Sequence, residues 1–591
     1  MESKWIVALL VAVNVCGGAV LVKGQQSAPQ SYVPVTKEML TNPSPDDWLM
    51  LSRTYDEQRF SPLKQVNKAN VAQLRMAWSR GLPAGTNETV PIVYRGILYV
   101  VTPGALVQAL DATTGDLVWE YKRKWGPGIN AGTLESARAK SLAIYQDMIY
   151  YTAPDGFLVA IDAQKGTLRW ETKVNPDGAG AQNTSAPIVV EGKVITGRAC
   201  SDKREGCFIA AHDALTGQEV WKFFTAAAEG EPGGDTWGGL PTDKRIASIW
   251  GLPGSYDAVR KTIIWATANP RPYPRMTRHG GNPDAIPRTA PAELYTNSTI
   301  ALDPETGKLK WYYQHLPGDD WDSDHVHERI QLRTAINPDP AAVKWINPRI
   351  KRGEQRDITI TVGEPGGMWA LDRGTGEFLW AMPFPADTPD FHLSNVDVET
   401  GKTTINWDKV FKKDGDKSLI CYFNQKSYWP MAYHPGTNSL YVPYHDYCLE
   451  MQKTNSPSGY GQRNGIIRPG VDPKKASVLA KVNLSTGQVT RLREGYAPGN
   501  GAVLATDGGL IFWGDMNRRF HAFDADSGKE LWTSILGGVI QMSTITYAVN
   551  GKQYVAVLTG DGNSATAGPM GQSKELTTPR GHNAVYVFAL P

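Results

Sequence analysis

The 591-residue chain has no block of basic residues, and its formal net charge is only +2. Nucleic-acid binding draws most of its affinity from clustered Lys and Arg set against phosphates, so that class of function is excluded. Cysteine is scarce. None of the five lies in a C-x-x-C pair, which removes the common zinc motifs. The absence of C-x-x-C-H removes a covalently attached haem c. Beyond the first two dozen residues no apolar run approaches the ~20 residues of a membrane span, so the mature chain is expected to have no integral membrane segment. Charged residues are only 20%, yet 41% hydrophobic residues and a small net charge exclude disorder. What the chain has in excess is turn formers: Gly and Pro make up about 17% against a typical ~12%. That favours many short strands over long helices.

The N-terminus reads as a secretory signal, residues 1–24. Lys4 supplies the charge, Trp5 to Val15 the apolar run, and Gly17, Gly18 and Ala19 the small residues. Val15 stands before Cys16 where a lipoprotein has a small residue, so a lipid anchor is not expected. Export to the periplasm follows, with the mature chain at 25–591. In that oxidising compartment Cys200, Cys207, Cys421 and Cys448 form an even set with three pairings open, the short-loop choice being Cys200–Cys207 with Cys421–Cys448.

One pattern recurs along the chain. Ala109-Leu110-Asp111, Gly115 and Trp119 return as Ala160-Ile161-Asp162, Gly166, Trp170 and as Ala211-His212-Asp213, Gly217, Trp221. Further copies end at Trp311, Trp380 and Trp532, and a worn copy runs Val482-Asn483, Gly487, Arg491. The Asp side chain can bond its own turn, Gly supplies a positive φ, and a second strand carries the Trp. Successive turn residues lie 51, 51, 90, 69, 111 and 41 residues apart. Units of forty to fifty residues are four-stranded propeller blades, and the longer steps carry inserted loops. A C-terminal strand, Val585 to Leu590, can pair with an N-terminal one and close the ring without an exposed edge. The expectation is an all-β, eight-bladed β-propeller with Trp-docking repeats, a single domain over 25–591.

The repeats, together with several segments that occur once, resemble the quinoprotein alcohol dehydrogenases, which bind pyrroloquinoline quinone (PQQ). The segments are Asp47-Trp48, Tyr55 to Leu63, Asn70-Val71 with Leu74 and Trp78, Gly233 to Gly239, Gly254 to Asp257, Gly528 to Trp532, and Asn550 to Tyr554. The resemblance covers essentially the whole mature chain and implies site residues one by one. Gly318-Asp319-Asp320-Trp321-Asp322-Ser323-Asp324-His325 holds four carboxylates within six residues, an arrangement that repels itself unless a cation or proton relieves it. It is not an EF-hand, since the sixth position from Asp320 is His325 and the twelfth Gln331. The resemblance makes Asp322 the catalytic base. Asp324, two residues on, is acidic in relatives that use a lanthanide and not in those that use calcium; a trivalent ion favours one more anionic oxygen. Asn269 matches the amide metal ligand. For the acidic ligand Glu205 is preferred, because its longer side chain can chelate, with Asp202 the alternative. Trp250 matches the indole floor beneath the quinone, and Ser248, Glu88 and Thr184 match cofactor-contacting positions. Lys140 takes the place of an Arg and loses its bidentate geometry.

Three departures stand out. No adjacent cysteines occur between Asn130 and Arg138, Glu364-Pro365-Gly366 stands where an Arg is expected, and Asn500 replaces a Trp. The resemblance implies oxidation of a small alcohol to an aldehyde or ketone, with PQQ and a lanthanide (alternatively Ca²⁺). Electrons would pass to a separate cytochrome c, since no haem motif is present. A homodimer is left open. The alternative from a different class is a non-catalytic propeller scaffold of the bacterial envelope, which would account for the repeats and the signal but not for Trp250, Asn269, Asp322 and Asp324 together.

Overall fold

Each Asp of the repeat closes a turn upon itself. Asp111 Oδ1 accepts from the backbone N–H groups of Thr113 and Thr114 at 2.7 and 3.1 Å. The same geometry returns at Asp162, Asp213, Asp303, Asp372 and Asp524, and Asn483 reproduces it in the worn copy. The turn joins antiparallel strands, as in Leu106–Asp111 with Leu117–Tyr121. The computed structural model describes residues 32–126, 129–176, 182–421, 426–562, 573, 576, 579 and 581–591. The expected leader lies outside the described residues.

Among those residues the chain is all-β in its regular structure, with short helical turns between strands, and eight sheets have four or five strands. Most are meanders of consecutive strands, such as Ile92–Tyr94, Ile97–Thr102, Leu106–Asp111 and Leu117–Tyr121. One sheet is assembled from both ends of the sequence: Ala584–Ala589 pairs with Lys552–Thr559 on one side and with Arg75–Gly81 on the other. Ala584–Ala589, the last strand, thereby has both of its edges paired.

Adjacent sheets meet through indole on glycine. Gly166 has φ +68°, and a methyl built on it would lie 2.6 Å from Trp119 Cε3, so a side chain there would collide with the ring. The Trp119 indole N–H then donates to Ala163 O at 3.0 Å. Trp78 over Gly115, Trp170 over Gly217, Trp221 over Gly307 and Trp311 over Gly376 repeat this contact. It lapses where the repeat is worn: Leu492, beside Arg491, lies over Gly528.

The two long steps hold the insertions. In the second, Lys417–Cys421, Tyr447–Lys453 and Tyr460–Ile467 form a three-stranded sheet. Cys421–Cys448 crosses it between paired residues, and Cys200–Cys207 closes a short loop, so the short-loop pairing is the one formed.

Candidate active site

The acidic segment 319–324 divides into two carboxylates that build and two that face each other. Asp319 accepts from the N–H groups of Trp321 (2.9 Å) and Ser323 (2.7 Å), shaping the turn. Asp320 accepts from Arg275 N (2.6 Å) and from Phe411 N (2.7 Å), tying the turn to the inserted segment. Both are fully buried, and burial pushes the Asp319 carboxyl up to about 7. Between them the turn puts Asp322 at φ +66°, the left-handed region that a non-glycine residue occupies only at a cost.

Asp322 Oδ1 accepts from Asn269 Nδ2 at 2.6 Å, and its Oδ2 from Arg463 Nη1 at 2.8 Å. Asp324 Oδ1 accepts from the Asn269 backbone N–H at 3.0 Å, and Oδ2 from the Trp250 indole N–H at 2.5 Å. Asn269 thus lies between the two carboxylates, just past the strand Thr262–Ala266. Its neighbour Ala268 donates to Ser248 O at 2.8 Å, which draws the Ser248–Trp250 segment alongside. Asn269 is buried, and its Oδ1 has no hydrogen-bond partner. A buried amide oxygen left unsatisfied costs about 1–3 kcal/mol. Set between two carboxylates, it is an acceptor waiting for a cation.

The electrostatics agree. Burial, and then the charge of Asp322, raise the Asp324 carboxyl to about 6. Burial raises Asp322 too, opposed by the Arg463 and Arg271 guanidiniums. A third carboxyl belongs to this neighbourhood. Glu364 is raised well above the ordinary range by burial and then by the charges of Asp324 and Asp322; it accepts from Ser427 Oγ at 2.5 Å and donates its backbone N–H to Asp324 O. A hard cation seated by Asp322, Asp324 and Asn269 would relieve this repulsion and satisfy the orphaned amide oxygen. The donor set fits such an ion.

Glu205 and Asp202 stand apart from that set. Both are exposed, Glu205 in the short turn Arg204–Gly206 inside the Cys200–Cys207 loop and Asp202 accepting from Ser201 Oγ. Among the described residues no group of three or more His, Cys, Asp or Glu side chains is placed to hold one ion.

The residues matched to cofactor positions gather around Trp250. Thr184 Oγ1 donates to Trp250 O at 3.0 Å. Ser248 Oγ accepts from Cys200 N at 3.1 Å, which links this segment to the disulfide loop. Lys140 Nζ lies 5.7 Å from the Trp250 ring centroid and pairs with Glu88 at 3.0 Å, both side chains buried. Near Glu88, Thr89 Oγ1 and Asn183 Oδ1 are buried without partners and line one narrow cavity with it. An indole face, a buried cation and orphaned polar atoms fit a flat, multiply charged ligand such as a tricarboxylated quinone.

Several residues here escaped sequence reasoning. Tyr428 donates to Glu88 at 3.0 Å and meets Trp250 edge-on at 5.9 Å; His327 meets it at 6.3 Å with both ring nitrogens unpartnered. Arg463 comes from the inserted sheet, and no motif marks it. Tyr273 and Tyr460 stack at 5.4 Å beside it, and Tyr460 O–H donates to Asp320 O at 2.8 Å. Arg271 is the exception: it lies two residues past Asn269 and was open to notice.

A propeller-type β architecture and an indole bonded to one of a pair of carboxylates around a buried amide are the features of a PQQ-type dehydrogenase. The chain belongs to the family described as PQQ glucose/ethanol/alcohol dehydrogenase, β-propeller domain, which matches residues 48–390 and 475–555. It is 29% identical over 574 residues to the dehydrogenase subunit of a quinone alcohol dehydrogenase from Gluconobacter oxydans, covering 88% of this chain and 71% of that one. It is 26% identical over 622 residues to the quinoprotein alcohol dehydrogenase PedH of Pseudomonas putida, covering 98% and 97%. Among solved structures, a europium-containing methanol dehydrogenase superposes with a TM-score of 0.79 at 26% identity, over 94% of this chain and all of that one.

Proposed function

We propose that this protein oxidises an alcohol to an aldehyde or ketone with PQQ and a metal ion, and that electrons leave to a separate cytochrome c. The observation that carries the reading is the orphaned Oδ1 of Asn269, a residue whose N–H groups bond both Asp322 and Asp324, with Asp324 bonded in turn by the Trp250 indole. The quinone supplies the two-electron acceptor and the ion Lewis acidity. Trp250 supplies the stacking floor, with Lys140, Glu88, Thr184 and Ser248 around it. Asp322 takes the substrate's hydroxyl proton on its carboxylate, which Asn269 and Arg463 hold in orientation. Asp324 adds a second anionic oxygen, which supports a lanthanide over calcium, and the likeness to a europium-containing enzyme supports the same preference. One of the two exposed acids of the disulfide loop, Glu205 in preference to Asp202, completes the ligand set when the ion is bound.

The eight sheets support one eight-bladed ring over residues 25–591, docked by the Trp-on-Gly contacts and closed by Ala584–Ala589, in a chain exported to the periplasm after loss of residues 1–24. The catalytic assignment is tested by Asp322→Asn, which keeps the side chain's size and removes the proton acceptor. It should bind PQQ as the wild type does and lose about 10²–10⁴-fold in turnover. Near wild-type turnover at equal PQQ occupancy would move the base elsewhere.

A further inference from the structure

Two guanidiniums gather at the Tyr273 ring beside Asp322. Arg463 is spoken for by Asp322. Arg271 is not: it has no ion-pair partner among the described residues, and its Nε is buried without a hydrogen bond. Its guanidinium lies 5.1 Å from the Tyr273 ring centroid, and that of Arg463 6.0 Å from the same ring. The two cations therefore flank one aromatic ring. Through that ring Arg271 is set close to the Arg463–Asp322 pair.

Arg271 also opens onto space. Together with Tyr273, Lys244, Thr277 and Ser458, and with Asp202 as the one carboxylate, it lines a cleft of about 480 Å³. A guanidinium offers five N–H donors in a fixed fork and is not deprotonated at any working pH, so one that lacks a counter-ion beside a cavity is a receptor for a planar oxyanion.

We propose that the substrate is a hydroxycarboxylate: its hydroxyl lies at Asp322 and its carboxylate is held by Arg271 at the cleft. This rests on the reading of Asp322 as the base, and it adds the class of alcohol. Tyr273, stacked on Tyr460, forms the wall along which the intervening carbon chain runs. The acid is oxidised at its carbinol carbon only; the carboxylate is bound and released unchanged.

The test compares 3-hydroxypropionate and 4-hydroxybutyrate with their methyl esters, which keep the shape and remove the charge. The reconstituted wild type should show at least a tenfold higher kcat/KM for the acids, chiefly through KM. In Arg271→Gln that ratio should fall about tenfold, and Arg271→Lys should recover part of it. A readout free of turnover is calorimetric binding of butyrate, which cannot be oxidised at a hydroxyl, to the cofactor-free chain: it should be seen with the wild type and weaken at least tenfold in Arg271→Gln. Thermal melts establish that the variants are folded. If the esters serve as well as the acids and butyrate does not bind, the hydroxycarboxylate proposal falls while the dehydrogenase reading stands. If butyrate binds through Arg271 but no alcohol is oxidised with PQQ, the oxyanion site stands and the hydroxycarboxylate proposal falls with the dehydrogenase reading.

Discussion

At the scale of single residues, segment 319–324 shows why like side chains a few positions apart do different work. Asp319 and Asp320 each accept two backbone N–H bonds and are structural, whereas Asp322 and Asp324 converge on Asn269. Asp324 is the residue on which cation choice turns. With it, the pair offers a charge of about −2 before any further ligand joins; without it, half of that is lost and the Trp250 N–H loses its acceptor. Asp324→Ala should therefore lose lanthanide-supported turnover first, by tenfold or more, and shift preference toward Ca²⁺. Turnover of wild type and variant with La³⁺ and with Ca²⁺ in metal-stripped buffer measures this; a wild type that works equally well with Ca²⁺ contradicts it. Asp322, Asp324, Asn269 and Trp250 could be picked out in the sequence because each stands in a short stretch that matches the resembled family. Tyr428 was not, since it reaches the site from a distant segment, nor was His327, which lies three residues past Asp324 but is a side-chain type commoner in cores; Glu364 showed only as a departure from the resembled pattern. The choice between Glu205 and Asp202 stayed open for a physical reason: both lie in one exposed loop.

At the scale of elements, the repeat was readable because its physics is local. An Asp that caps its own turn and a Gly at positive φ need nothing from the rest of the chain. The inserted sheet has no such signature, although it carries Arg463 and Tyr460 to the site. What fastens it is the Cys421–Cys448 disulfide between Lys417–Cys421 and Tyr447–Lys453, which spans 27 residues of sequence. A crosslink of that span contributes about 2–4 kcal/mol in the chain-entropy account. Replacing both cysteines with Ser should loosen this sheet before the propeller body. Amide exchange should rise within 417–421 and 447–467, and kcat/KM should fall several-fold as Arg463 loses its fixed position. Unchanged exchange in those strands would show that packing alone holds the insertion.

At the scale of the whole molecule, the site exists because distant parts of a long chain are folded onto one another. Glu88, Lys140, Trp250, Asp322 and Tyr428 come from five separate stretches, and the sheet that joins Arg75–Gly81 to Ala584–Ala589 ties the two ends of the chain together. Such a site is assembled only when the whole structure is, so binding of cofactor and ion should stabilise the entire body by mass action. The most direct measurement of the central claim is alcohol oxidation by the purified chain, loaded with PQQ and La³⁺ or Ca²⁺, followed with an artificial electron acceptor. The account predicts turnover that requires both PQQ and the ion, together with a bound-quinone absorption band at one quinone per chain. A chain that binds no quinone under these conditions, or binds it and oxidises no alcohol or hydroxy acid, would contradict it.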